Sequence, residues 1–164
     1  MRFLYYILLL CAITGHSQNI IIGDSQVPFI DLQTCKAEKS PALWKSGIGV
    51  YELTKMVQKY PLSTRVKNVI ISIGTNDMYK GNVKDLYRIL KYRFPYANFY
   101  VVPGSWGWGK VKRITTKELN SYYKKHEAEG AIILPLAIGL GDPHRNKPSY
   151  VLIGQYLDEI LTNN

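Results

Sequence analysis

Residues 69–77 read Val-Ile-Ile-Ser-Ile-Gly-Thr-Asn-Asp, and this stretch decides the fold. The first five residues are mostly β-branched and show no polar alternation, which is typical of a strand buried on both faces of a parallel sheet. A Gly-Thr-Asn-Asp segment follows directly. Because the loops at the carboxyl ends of parallel strands share one edge of the sheet, the stretch predicts an α/β domain with polar chemistry at that edge.

The same pattern recurs on both sides of this stretch. Short apolar runs at 20–22, 99–102 and 131–134 are predicted strands like the one at 69–73, and a fifth strand is expected near 43–46. The segment 26–44 has no clear period, and we expect it to be loop with a turn or two of helix.

Amphipathic segments alternate with these runs. Their apolar residues follow the helical period at Val50, Leu53, Met56, Val57 and Tyr60; at Val83, Leu86, Tyr87, Leu90 and Phe94; at Leu119, Tyr122, Tyr123 and His126; and at Tyr150, Ile153, Leu157, Ile160 and Leu161. Strand–helix alternation with right-handed crossovers predicts a three-layer α/β/α sandwich around a flavodoxin-like parallel sheet of about five strands. A chain of 164 residues suits one such domain.

The first 17 residues have the character of a secretory signal peptide. Arg2 precedes an apolar run at 3–13, and Gly15 and Ser17 supply small residues for cleavage. The run is too short to span a bilayer as a mature helix. We therefore expect a single mature domain at 18–164 that is secreted or periplasmic and has no stable membrane span. An uncleaved anchor and a buried first helix are the alternatives.

Charge and cysteine content limit which partners and which kinds of site the chain can have. Loss of residues 1–17 leaves 20 basic and 12 acidic residues, a net charge of +8. The basic residues are scattered and no nucleic-acid motif occurs, so we expect attraction to anionic surfaces but no nucleic-acid partner. Cys35 would be the only remaining cysteine, which excludes an intrachain disulfide and a thiolate metal cluster. We expect no metal and no organic cofactor.

Four loops place reactive residue types after or between the predicted strands. They are Gly23-Asp24-Ser25, Ser46-Gly47-Ile48-Gly49, Gly74-Thr75-Asn76-Asp77 and Gly141-Asp142-Pro143-His144. A serine at a strand end can present its hydroxyl, a glycine before a helix offers a backbone N–H, and an asparagine amide donates a further hydrogen bond. Each segment alone is common in turns, so the signal is their order along the chain.

This order resembles the SGNH/GDSL hydrolases, a family named for its Ser, Gly, Asn and His blocks, over nearly the whole mature chain. The resemblance implies that Ser25 is the nucleophile. It implies that Gly47 and Asn76, with the N–H of Ser25, form an oxyanion hole, and that Asp142 and His144 are the acid and base. No Gly-x-Ser-x-Gly segment, the signature of the α/β-hydrolases, occurs in the sequence.

The histidine count supports His144 independently of the resemblance. The mature chain has two histidines, and His126 falls in register with the apolar stripe of its predicted helix, where packing in the core is expected. Histidine is the side chain best suited to activate a serine hydroxyl near neutral pH. If the chain is a serine esterase, His144 is therefore its base.

Two assignments stay open. The family pattern has the acid three residues before the histidine, whereas Asp142 is two before His144, so the site is either a Ser-His-Asp triad or a Ser-His dyad. Gly49 is the alternative to Gly47 as the oxyanion donor. Asp24 and Asp77 are expected to hold their loops through backbone hydrogen bonds.

The segment 103–110, which follows a predicted strand, suggests the substrate. It contains Trp106 and Trp108 among glycines, and flat indole rings stack well on sugars. We therefore expect a carbohydrate O-acetylesterase acting on an O-acetylated glycan or another acylated small molecule. Alternatively, the tryptophans cover the end of the core. The alternative function is a catalytically weak or inactive domain of this fold that binds glycan or protein.

Overall fold

The computed structural model describes residues 18–104, 114–135, 144 and 147–163. The predicted signal peptide, Asp142, Trp106 and Trp108 lie outside the described residues. Within them, the chain forms a central sheet with helices between successive strands. The elements in chain order are β1 (Asn19–Gly23), α1 (Val27–Asp31), β2 (Glu38–Trp44), α2 (Val50–Lys59), β3 (Asn68–Ser72), α3 (Val83–Arg93), β4 (Asn98–Val101), α4 (Thr116–Ala128), β5 (Ile132–Ile133) and α5 (Lys147–Thr162).

The sheet has five strands in the order β2-β1-β3-β4-β5, and every neighbouring pair is parallel. This confirms the predicted α/β class and flavodoxin-like parallel sheet. The strand order reverses at β1, which pairs with β2 on one side and β3 on the other. A reversal of this kind opens a crevice at the carboxyl ends of the two central strands, which is where such sheets bind their ligands.

Apolar side chains alternate between the two faces of the sheet and build a core on each. Ile71 packs with α2, α3 and α4 on one face, whereas Ile70 packs with α1 and α5 on the other. All five residues of β3 are buried. Helices on both faces of a buried sheet give the three layers that the sequence predicts.

The fifth strand differs from the prediction. It begins at Glu38 rather than near 43, so less of the segment 26–44 is loop than expected. The five-residue helix α1 is the turn or two of helix expected there. The physical reason is that β2 lies at the edge of the sheet. Of its seven residues only Ser40 and Leu43 are buried, so no continuous apolar run marks it.

The core position predicted for His126 is confirmed. Its side chain is 0% exposed, and Nδ1 lies 2.9 Å from the hydroxyl oxygen of Tyr87. Burial lowers the pKa of His126 to about 3, so the imidazole is neutral at physiological pH. Among the described helices, none is long and apolar enough to cross a membrane.

Gly23 permits the close pairing of β1 with β3 at the carboxyl edge. Its φ is +137°, and a Cβ built there would lie 1.8 Å from the carbonyl oxygen of Ser72. Gly47 has a φ of +78° but open space around the corresponding Cβ position. A side chain at Gly47 would therefore meet backbone strain alone, whereas one at Gly23 would meet both strain and a steric clash.

We expect Gly23→Ala to lower the free energy of unfolding by about 2–4 kcal/mol, because strain and overpacking act together. Gly47→Ala, the matched control, should lose only about 1 kcal/mol from strain. Urea denaturation followed by circular dichroism measures both. Equal losses in the two variants would contradict the role given to the Ser72 contact.

Candidate active site

Ser25 lies at the carboxyl edge of the sheet, two residues after β1 ends. The backbone N–H of Asp24 donates to the carbonyl oxygen of Ser72 at 2.9 Å, so the turn that carries Ser25 is tied to the end of β3. Helix α1 begins directly afterwards, with Pro28 in its first turn, where a missing N–H costs nothing. Ser25 is thus held between the two central strands, at the crevice where the strand order reverses.

His144 meets Ser25 across 119 residues of sequence. Its Nε2 lies 3.4 Å from the Oγ of Ser25, and the contact is half-buried. This distance is somewhat longer than the 2.6–3.2 Å typical of a catalytic hydrogen bond, and such bonds often tighten only when substrate binds. The structure therefore brings together the predicted nucleophile and base in a geometry that allows proton transfer.

Gly47 and Gly49 have different hydrogen-bonding states. The N–H of Gly49 donates to Oε2 of Glu52 at 3.1 Å, which closes the start of α2. Within the described parts of the chain, the N–H groups of Ser25 and Gly47 have no hydrogen-bond partner. Gly47 rather than Gly49 therefore has an N–H available for an oxyanion, in line with the preferred of the two sequence assignments.

The side chain of Asn76 links two of the predicted blocks. Its amide nitrogen donates to the carbonyl oxygen of Ile48 at 2.9 Å, which joins the loop after β3 to the loop before α2. An asparagine amide carries two N–H groups, and this bond uses one. The other N–H can serve as a donor to a bound substrate, as the sequence assignment requires.

Comparison with known proteins bears on the fold. No protein-family model and no curated protein matches the chain. Among solved structures, a lipolytic protein of the G-D-S-L family from Veillonella parvula is similar, with a TM-score of 0.60 and 12% identity over 88% of this chain and 98% of that one. The chain has the fold of the SGNH/GDSL hydrolases.

Two further structures with this fold differ in what they act on. Phospholipase A1 from Streptomyces albidoflavus matches with a TM-score of 0.55 and 13% identity, over 88% of this chain and 97% of that one. A carbohydrate esterase family 2 enzyme from Corynascus thermopiles (Myceliophthora fergusii), solved with a carbohydrate-binding domain, matches with a TM-score of 0.53 and 17% identity, over 88% of this chain and 65% of that one. Identities this low relate the chains by fold and leave the substrate open.

The sequence does not predict an aromatic contact that lies beside the candidate site. The ring of Phe29 lies 5.7 Å from the imidazole of His144 at an interplanar angle of 71°, and it stacks on Tyr150 at 5.3 Å. Phe29 belongs to α1, inside the segment expected to be mostly loop. The signal that could have found it is Pro28, which favours the first turn of a helix and places Phe29 one turn after Ser25.

Asp24 and Asp77 hold the loops of the candidate site through backbone hydrogen bonds, as predicted. The N–H of Gln26 donates to Oδ1 of Asp24 at 3.0 Å, and the N–H of Val50 donates to Oδ2 of Asp77 at 2.8 Å. Asp24 is only 1% exposed, and burial together with the charge of Asp77 raises its pKa to about 7. Burial also raises the pKa of Asp77.

The loop after β3 contains two strained residues. Met78 and Tyr79 have φ angles of 54° and 60°, a region that side chains disfavour. Hydrogen bonds hold this conformation: the N–H of Tyr79 donates to the carbonyl oxygen of Gly74 at 2.7 Å, and its hydroxyl lies 3.0 Å from that of Thr75. The strained residues therefore lie close in sequence to Asn76, whose amide must keep a fixed direction to donate to Ile48 and to a bound substrate.

The described residues contain no group of three His, Cys, Asp or Glu side chains that could hold a metal ion.

The raised pKa of Asp24 predicts how stability depends on pH. Between pH 3.8 and about 7 the folded state holds a proton that the unfolded chain releases, so the free energy of unfolding should fall as pH rises through this window. We expect Asp24→Asn, which keeps an acceptor for the N–H of Gln26, to make this decline shallower.

Urea unfolding at pH 4, 5.5 and 7 measures the effect. Asp85→Asn removes an exposed carboxylate on α3 and controls for the loss of one negative charge. A decline that is equally steep in wild type and Asp24→Asn would show that Asp24 is not its source.

Proposed function

We propose that the chain is a serine ester hydrolase in which Ser25 is the nucleophile and His144 the base. The observation that carries the proposal is the 3.4 Å contact between the Oγ of Ser25 and Nε2 of His144. The two residues are brought together at the crevice of the sheet from loops far apart in sequence. The SGNH/GDSL fold supports the same reaction class, because the structures that share it are lipolytic proteins and esterases.

The first step forms an acyl-enzyme. The Oγ of Ser25 attacks the ester carbonyl carbon while Nε2 of His144 accepts the hydroxyl proton. The negative charge that develops on the carbonyl oxygen is stabilised by the N–H groups of Ser25 and Gly47 and by the amide of Asn76. Loss of one such donor typically lowers turnover by about 10²–10³-fold.

The second step releases the acid. The alcohol has already left as the acyl-enzyme formed, carrying the proton that the imidazolium of His144 gave it. A water molecule now attacks the acyl carbon with His144 again acting as base, and His144 returns the proton to the Oγ of Ser25 as the acid departs. Asp142 is the proposed acid that orients the imidazole and stabilises its charged form; without it, the site is a Ser-His dyad. The reaction calls for no cofactor.

The proposed substrate is an O-acetyl ester on a carbohydrate. Gly104, which leads from β4 toward Trp106 and Trp108, lies against the loop of Asn76, because a Cβ at Gly104 would be 3.2 Å from Oγ1 of Thr75. The last described residue before the tryptophan segment therefore lies beside the site. The carbohydrate esterase among the similar structures supports this substrate class. The sequence of residues 1–17 supports a secreted or periplasmic location, where glycans are accessible.

Hydrolysis of p-nitrophenyl acetate and labelling by a fluorophosphonate probe test the reaction. Wild type should hydrolyse the ester and be labelled on Ser25, whereas Ser25→Ala and His144→Ala should lose about 10⁴-fold or more in kcat. Ser121→Ala, an exposed serine on α4, should behave as wild type. A folded wild-type protein that neither turns over nor reacts with the probe would favour a domain that binds glycan or protein without catalysis.

Acetylated xylo-oligosaccharides and p-nitrophenyl octanoate test the substrate class. We expect a higher kcat/KM on the acetylated glycan. Trp106→Ala and Trp108→Ala should each raise KM for the glycan about fivefold, because an aromatic stacking contact contributes about 1 kcal/mol, and should leave p-nitrophenyl acetate hydrolysis unchanged. Trp44→Phe, on β2, is the control. A preference for the octanoyl ester, or equal losses on both substrates, would refute the glycan assignment.

A further inference from the structure

Helix α1 places an aromatic ring between the proposed base and the core. Phe29 stacks on Tyr150 at 5.3 Å with an interplanar angle of 23°, and its ring centroid lies 5.7 Å from that of His144. Tyr150 is 4% exposed and belongs to α5, in the core on that face of the sheet. The three rings thus form a column that runs from the buried core to the imidazole.

The backbone that carries Phe29 is fixed on both sides. Val27 and Ile30, the neighbouring buried residues of α1, are 0% exposed. The end of the helix is in close contact with α5, because a Cβ at Gly154 would lie 1.9 Å from the carbonyl oxygen of Gln33. Phe29 therefore cannot shift without disturbing the core.

Phe29 also shares its short segment with the nucleophile. Ser25 lies two residues before the helix, and the N–H of Phe29 donates to the carbonyl oxygen of Gln26 at 3.1 Å. Gln26, which directly follows Ser25, caps the helix with helical backbone angles, so the turn of Ser25 leads straight into the first turn of α1. The position of the hydroxyl and the position of the ring that contacts the base are therefore set by one short segment of the chain.

We propose that Phe29 is a positioning residue that holds the imidazole of His144 within reach of the Oγ of Ser25, with Tyr150 as its support. The inference rests on the proposed function. An edge-to-face contact favours one orientation of the ring it touches, and a catalytic group displaced by about 1 Å can lose about 10²-fold in rate. Phe29 thus acts on the reaction through the direction of the imidazole.

The test compares kcat, KM and the rate of fluorophosphonate labelling of Ser25 in four proteins. Phe29→Ala should lower kcat and the labelling rate about 10–100-fold and change KM less than about threefold. Phe29→Tyr retains the ring and should stay within about threefold of wild type. Leu32→Ala removes a side chain that is 73% exposed at the end of the same helix and should have no effect. Because Phe29 is 44% exposed, its truncation leaves no closed cavity, and we expect the variant to fold.

A double mutant separates positioning from contact with the substrate. If Phe29 acts through His144, then Phe29→Ala introduced into His144→Ala should change the residual rate less than about twofold. If Phe29 instead binds the substrate, the loss should persist in that background. A persistent loss, or a Phe29→Ala protein as active as wild type, overturns the proposal.

The chemical shifts of the histidine side chains, measured by nuclear magnetic resonance, test the contact without any need for turnover. The Hε1 signal of His144, identified by its absence in His144→Ala, should be displaced by the ring current of Phe29 and should move in Phe29→Ala. The signal of His126, whose imidazole stays neutral above pH 5, is the internal reference. An unmoved His144 signal overturns the inference. Absence of all hydrolysis in wild type would instead refute the proposed function.

Discussion

The pairing of β1 with β3 is the constraint on which the candidate site depends. The two strands pair over five residues in register, from Asn19 with Asn68 to Gly23 with Ser72. The N–H of Asp24 then continues the hydrogen bonding onto the carbonyl oxygen of Ser72, with Gly23 in a conformation that leaves no room for a side chain. Because β2 joins the other side of β1, the crevice beside Ser25 is a direct consequence of this pairing.

The sequence predicts those parts of the fold that appear in it as continuous apolar runs or as a clear helical period, and these include the edge strand β5. Strands β1, β3 and β4 appear as continuous apolar runs, and the longer helices show a clear period, because each buries a defined surface. Strand β2 does not, since an edge strand exposes much of its length. Helix α1 does not either, because five residues are too few to show a helical period.

Some features of the candidate site could likewise be predicted from the sequence, and others could not. The order of the loops along the chain predicts which residues reach the edge, and Ser25 and His144 do meet there. The choice between Gly47 and Gly49 depends on which N–H is already bonded, which requires the position of Glu52. The contact of Phe29 with the imidazole depends on a helix that only Pro28 signals in the sequence and on its packing against α5. The sequence therefore predicts which residue types reach the candidate site, but not the contacts that depend on how helices pack around it.

The environment of Asp24 connects the stability of the fold with the proposed chemistry. This carboxyl group directly precedes Ser25, whose N–H is a proposed oxyanion donor, and an ionised carboxylate there would oppose the negative charge that develops on the substrate. Burial raises its pKa to about 7, which favours the neutral form near the nucleophile. The group still accepts the N–H of Gln26 and so keeps the turn in place. The same desolvation that makes ionised Asp24 unfavourable for the fold thus also lowers the negative charge beside the proposed oxyanion donor.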